Sequence, residues 1–519
     1  MTEQAISELL ANDQFVTEMS GRILEKADTI NNATNLLWYD LSPIVQLLYP
    51  FRQLIPLISK LPRVPGDGGN AYHWKRISAI NVNQVEAGVS EGNRGGTIAI
   101  QLDDQMAAYK AMGFEASVTV EARLGGKNLT PDAIGCAVQS TLRSLMIAEE
   151  KALILGNSSK PIGAVGTITA AEGTAVASGF TTGTAQSFYV VGLTGQGWLR
   201  SNVTNGVTRQ ITRTNADGSQ DTFGGSSGAP SAQKTYTVTT NGDSIVLTWA
   251  AITGAVAYAV YWGVAGAEVL GAVTTVNNYT ATKAATGTQT YASIGTADYS
   301  QNSLLPDGIL SIMFNQIFGQ PPSLSASTNP NLPSSSTSTV IISPSGSILE
   351  TMNQGATLTA TGMSINEIDV VLQAAYEQYK IGFTRMLVNV QEQVSIKHLM
   401  FPTTTSTSGN SGRIVFAENG DVTVGQYVTA YKNIFMGNTI AIEVHPFVPP
   451  GTIIFWSDTI PYELPGAVPV LEAHVRQDYY EYQWPMRTRR YEYGVYVDEM
   501  FVCNFTPGFA AITNLTKNP

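Results

Sequence analysis

Residues 130–157, TPDAIGCAVQSTLRSLMIAEEKALILGN, constrain this chain more than any other stretch. Thr130 suits an N-cap, Pro131 the first helical position, and Asp132 puts negative charge in the first turn. Ile134, Val138, Leu142, Leu145, Ala148, Ala152 and Leu155 recur at three- and four-residue steps, which predicts one apolar stripe along a helix over 131–156. Gly156-Asn157 is a clean stop. At about 1.5 Å per residue the rod is roughly 35–40 Å long, the width of a small domain. An ordinary amphipathic core helix has the same pattern, so the flanking segments decide whether the rod is a scaffold beam.

Upstream, residues 1–30 carry Ile6, Leu9, Leu10, Phe15, Met19, Ile23 and Leu24 among acidic residues, reading as short amphipathic helices in a terminal arm. Leu36 to Leu61 is apolar but stopped repeatedly by Pro43, Pro50 and Pro56, so it should be extended or bent and pressed on something else. Ala71–Val82 reads as a strand, and Gln101–Glu121 as its return, around the glycine-rich tip Gly88, Glu91, Gly92, Asn93, Arg94, Gly95, Gly96. The tip lacks Gly-Lys-Ser/Thr and a following helix start, so it is not a phosphate loop. A hairpin with little core of its own needs a surface to lie on, and the tip is the expected contact, with Glu91 and Arg94 placed to pair with charges on a neighbour.

Downstream, residues 158–297 turn rich in Thr, Gly, Ala and Ser, with short alternating strands at Lys234–Thr240, Asp243–Gly263 and Ala272–Thr282. Spacing of this kind argues for a β-sandwich over about 165–295. LTW-AAITGAVAYAVYWG resembles the fibronectin type III or immunoglobulin-like pattern, with a core of Trp249, Tyr258, Val260 and Trp262. Mixed α/β signals resume at Leu304. SINEIDVVLQAAYEQY begins with a capping-box pattern, Ser364 to Glu367; MLVNV and GTIIFWSD read as strands, and 472–513 is strand-forming throughout.

With 519 residues the chain exceeds a single core. Charged residues are 13%, about half the usual share, which fits a surface largely covered by neighbours. A net charge of −11 (29 basic, 40 acidic) argues against gripping nucleic-acid phosphates over a broad face. No apolar run reaches membrane-span length, and the N-terminus lacks the basic and apolar regions of a secretory signal. Cys136 and Cys503 are too few for a disulfide framework and are expected to be reduced, buried and inert.

Taken in order, the elements resemble the tailed-bacteriophage major capsid protein, the fold named after phage Hong Kong 97. The matching features are the arm, the long hairpin, and a long helix ending IAEEKALILGN. INEIDVVLQAAYEQY, MLVNVQEQVSIKHLM, IFMGNTIAIEVHPFVPPGTIIFWSD and a closing strand run ending GFAAITN follow. The resemblance implies an α+β fold: N-terminal arm 1–62, extended hairpin 63–122, peripheral domain 123–164 built on the spine helix, inserted β-sandwich 165–295, axial domain 296–470, and closing strands 471–519. It implies a structural protein assembling with itself into hexamers and pentamers of an icosahedral shell around double-stranded DNA. Portal and scaffolding proteins, and a decoration protein, are the implied partners; packaged DNA would be touched only weakly and non-specifically. The arm is expected to stay in the mature particle, with any scaffold a separate chain, and the insertion to face outward. Assembly in the host cytoplasm into a virion follows, with no membrane and no cofactor.

Two other classes stand beside this reading: a nanocompartment shell of the same fold, typically smaller and without such an insertion, and a surface adhesin built around the β-sandwich, against which the missing export signal counts. An enzyme has little support. His73, His398, His445 and His474 are scattered without ligand spacing, and no GxSxG, HExxH or Walker pattern occurs. Glu149 and Glu150 are adjacent, so they point to different faces, with solvated or interface-facing side chains as the expectation. Some family members form a lysine–asparagine cross-link; Lys75 and Lys110 lie on the hairpin arms, but no glutamate or asparagine partner can be assigned.

Overall fold

Runs such as IIFW and FAAIT are apolar at successive positions, as strands buried on both faces must be. The computed structural model describes residues 51–518 apart from 67, 82, 126–132, 216, 315–336, 362–363, 401–427 and 461–467. In it these runs lie inside a seven-stranded mixed sheet. Its order is Ser338–Ile342, Ile348–Met352, Phe509–Thr513, Ile453–Trp456, Arg385–Val388, Thr439–Val444, Ala430–Lys432. Met386, Val388, Ile453, Phe455, Ala510 and Ile512 point to one face, where helices Asn366–Tyr379 and Val390–Met400 cover them. Leu387, Ile454, Trp456, Phe509 and Ala511 point to the other, packing with the long helix and with Ile309–Phe314.

The long helix runs Ala133–Leu155; Thr130, Pro131 and Asp132 lie outside the described residues. Of the expected stripe, Leu145, Ala152 and Leu155 are buried, while Ile134, Val138, Leu142 and Ala148 are half-buried. The last three turns are buried more widely, adding Ile147, Leu153, Ile154 and both glutamates, the mark of a helix enclosed rather than laid on a surface. Ile55, Leu57, Ile58 and Leu61 pack on this end, so the described part of the proline-broken segment is buried against its own chain.

Along the helix lies a four-stranded sheet in the order β1 (Arg63–Pro65), Leu471–Gln483, Arg490–Cys503, β4 (Lys110–Thr119). Val495, Val497, Phe501 and Cys503 face the helix core. The N-terminal and C-terminal stretches therefore interleave in one sheet. Between β1 and β4 the chain leaves as a separate hairpin, β2 (Ala71–Ile80) and β3 (Ile100–Ala108).

The insertion is built on two facing sheets, with a small two-stranded sheet, Ile211–Thr214 and Gln220–Phe223, besides them. Five strands (Ser227–Pro230, Lys234–Thr237, Ala185–Leu193, Ala257–Gly263, Val269–Thr274) and three strands (Asn278–Ala281, Asp243–Thr248, Thr169–Ala175) enclose one core that contains Trp249, Tyr258, Val260 and Trp262. Alternate residues Ala257, Ala259 and Tyr261 face a second cluster with Val207 and Ile294. The two necks of the insertion are tied side by side. Asp307 accepts from the Ser158 and Ser159 amides at 2.7 and 3.1 Å, and the Gly163 amide donates to Asp298 at 2.8 Å. Only glycine fits at Gly156, where a Cβ would stand 2.2 Å from the Pro306 carbonyl oxygen. A second tether joins Asn277 and Asn514, which exchange two 2.7 Å hydrogen bonds between the insertion and the C-terminal end of an inner strand, Phe509–Thr513, of the seven-stranded sheet.

Two expectations fail here. Cys136 is exposed, because it lies off the stripe, on a face of the helix that no described residue covers; Cys503 is buried. The capping box at Ser364 does not form. The helix begins at Asn366, the Ser364 hydroxyl donates to the Thr361 carbonyl, and the Glu367 carboxylate is taken by the Thr359 amide and hydroxyl.

Candidate assembly surface

The hairpin's two faces differ in kind. Register pairs His73 with Met106, Lys75 with Asp104, Ile77 with Leu102 and Ile80 with Ile100, so these eight share one face. A bulge between Ile77 and Ala79 keeps Ile80 on that face; without the extra residue it would point the other way. Five of the eight are apolar, exposed between 45% (Met106) and 67% (Ile80). The opposite face turns inward: Tyr72 packs on His474 at 4.4 Å between ring centroids, and Gln105 is fully buried. Trp74 and Lys110 border a cavity of about 200 Å³ at the root, with Asp307, Met500 and Cys503. Hairpins of two strands are marginal in water, and this one carries a bare apolar ladder beyond its root.

At the tip, Gly88, Glu91, Gly92, Asn93, Arg94, Gly95 and Gly96 are all exposed. The Asn93 amide closes a turn on the Ser90 carbonyl at 3.0 Å, with Gly92 at φ +82°. The apolar ladder was not singled out from sequence, although its signal, Ile98, Ile100, Leu102 at two-residue spacing, is written there.

A second exposed surface lies at the far end of the four-stranded sheet. Tyr480, Tyr482, Trp484 and Tyr496 form a chain of ring contacts at 5.3–6.3 Å. Tyr482, Trp484 and neighbouring Met486 are exposed. The Tyr496 ring lies across Gly113 and Gly494, where added Cβ atoms would stand 2.1 and 2.4 Å from it.

Glu149 and Glu150 overturn the expectation of solvated or interface-facing side chains: both are fully buried within the chain. They do point to different faces, and each fixes one end of the segment through which the N-terminal arm joins the body. Glu150 accepts from the Leu57 and Ile58 amides at 3.0 and 2.7 Å. It also takes the Nε2 proton of His445 at 2.7 Å, while His445 Nδ1 accepts from the Phe447 amide. Glu149 binds the Arg63 guanidinium and the Tyr479 hydroxyl. His474 is buried, and burial lowers its pKa; His73 and His398 are exposed. Among the described residues, no three His, Cys, Asp or Glu side chains are grouped to hold a metal ion, and no helix is long and apolar enough to cross a membrane.

No family model matches the chain, and no curated protein matches it in sequence. Among solved structures it is similar to the capsid of the native GTA particle, at 7% identity and a TM-score of 0.42, covering 94% of this chain and 100% of that one. A structure from Gordonia phage Cozz is similar at 10% identity and a TM-score of 0.38, covering 95% and 97%. The holo-SrpI encapsulin of Synechococcus elongatus is similar at 9% identity and a TM-score of 0.35, also covering 95% and 97%.

Proposed function

We propose that this chain is the major capsid protein of a tailed bacteriophage, a structural subunit that closes with copies of itself, as hexamers and pentamers, into an icosahedral head around double-stranded DNA. The observation that carries this reading is the bare ladder Ile77/Leu102 and Ile80/Ile100 on a two-stranded hairpin. A subunit that lies on its neighbour has a use for an apolar face that no described residue covers; an enzyme or an adhesin needs none. Each Ile or Leu removed from water contributes about 1.5–3 kcal/mol, and the contact recurs in every copy. The acidic balance suits a shell that encloses DNA without clutching it. Portal and scaffolding proteins are the implied partners, with assembly in the host cytoplasm and residence in the virion. The insertion is placed on the outer face, where it does not subtract packaging volume and is open to neighbouring copies or a decoration protein.

The test replaces the ladder's centre, Ile77→Asp with Leu102→Asp, in the full chain. Far-UV circular dichroism and melting temperature should match the parent, while negative-stain images show rings and shells only for the parent. Arg94→Glu, at the tip, should weaken assembly less. A double variant that builds shells as readily at matched concentration removes the ladder as the contact. Limited proteolysis of intact heads tests the placement: cleavage within 165–295 is expected, and full protection until the shell is opened overturns it.

A further inference from the structure

We propose that Glu149 and Glu499 hold one proton between their carboxyl groups, and that opening the site to water gives this proton up, making the root of the N-terminal arm a pH-gated latch. Both side chains are fully buried. Arg63 is the cation bound to them: it pairs with Glu149, stands 3.7 Å from Glu499, and also reaches the surface carboxylate of Asp478 at 2.7 Å. One guanidinium thus serves three carboxyl groups, two of them in the interior. Tyr479 offers no further charge; its hydroxyl donates to Glu149 and accepts from Arg63 at 2.7 Å.

Neither oxygen of Glu499 receives a hydrogen bond from the described residues. A buried carboxylate without a donor is far too costly to persist. Protonated, Glu499 supplies the missing donor and Glu149, in hydrogen-bond contact with it, is the acceptor. Burial raises the pKa of both carboxyls, and in Glu499 the Glu149 charge adds to the rise. The surrounding elements offer little relief. On the long helix, Glu150 faces away toward residues 57 and 58; on Arg490–Cys503, Asp498 is committed to Arg476 at 2.6 Å; on β4, Lys110 stands opposite Glu499 in register.

The sign follows from linkage. A carboxyl whose folded pKa is raised binds its proton more tightly folded than unfolded, so the contact weakens as pH rises through the folded value. When base takes the proton into solvent, two buried carboxylates face one guanidinium, and the cheapest relief is for β1 to part from the helix and admit water. This holds for the single chain and stands apart from whether copies assemble.

Amide hydrogen exchange on the full chain, followed from about pH 6 to about pH 10 and corrected for the intrinsic rate, tests it. Protection at residues 57–66 should fall by about tenfold per pH unit while the closed site keeps the proton that the opened site has given up, and should level off above the closed site's raised pKa, the behaviour that one linked proton imposes. The central strands of the seven-stranded sheet should keep theirs. Glu499→Gln, which retains a donor without a titrating group, should leave 57–66 protected throughout. A parent with pH-independent protection, or a variant that opens like the parent, overturns the proposal. Should the variant not fold, infrared spectra of the chain carrying Glu350→Gln and Glu392→Gln, which removes the other two acids raised toward neutral pH, decide: a remaining protonated-carboxyl band at neutral pH that vanishes at alkaline pH supports it, and no such band overturns it.

Discussion

Glu350 shows how much one side chain can decide about the pH range of a fold. It is fully buried on the strand Ile348–Met352, with one oxygen bonded to the Ser338 hydroxyl of the neighbouring strand at 2.5 Å and the other without a donor among the described residues. Burial raises its pKa to about 8, against which the Ser338 bond works and to which the Glu367 charge adds. An unfolded glutamate ionises near pH 4.3, so this group weakens the fold as pH rises between those values, by about 1.4 kcal/mol per unit. Glu350→Gln is expected to melt higher than the parent at pH 9 and no higher at pH 5; equal melting temperatures at pH 9 would show that the site is solvated. Glu392, raised to about 7 by burial despite the Gly451 amide, acts in the same direction. None of these acids announces itself in the sequence. Glu150 finds its partners 92, 93 and 295 positions away, and only the assembled fold brings them to it.

Strands and helices were legible in proportion to how local their causes are. MLV, IIFW and FAAI were readable because a strand buried on both faces must be apolar throughout, whatever covers it. The long helix was readable from its period, yet its last three turns are buried well beyond the stripe because a sheet, a short helix and the arm's root all converge there. The capping box failed because a tertiary partner, Thr359, claimed Glu367 first. At the aromatic end of the four-stranded sheet, Gly113 is the element's key. Its missing side chain lets Tyr496 lie flat, donate to Glu115 at 2.8 Å and stack with Tyr480. Gly113→Ala should displace the ring and cost about 1–3 kcal/mol, seen as a lower urea midpoint and a changed near-UV dichroism. Adding Tyr496→Ala should recover part of the loss, since residues in contact couple; strict additivity would place the ring elsewhere.

For the whole molecule, the insertion's two necks lie a hydrogen bond apart, at Gly163 and Asp298. A short glycine-serine bridge in place of 165–295 should therefore leave a remainder that folds cooperatively, with a lower melting temperature from losing the Asn277–Asn514 tether. A remainder that is molten by near-UV dichroism would mean that the insertion is part of the body's core. The hairpin has a consequence of another sort. Its ladder is bare and each strand leaves one backbone edge unpaired among the described residues, so a newly made chain is a template for any passing strand as well as for its proper neighbour. If copies assemble as proposed, two fates compete for the same surface, orderly docking and indiscriminate stacking, and which one wins depends on how fast chains are supplied relative to how fast growing edges remove them. Synthesis rate, rather than stability, becomes the quantity a cell must hold within bounds.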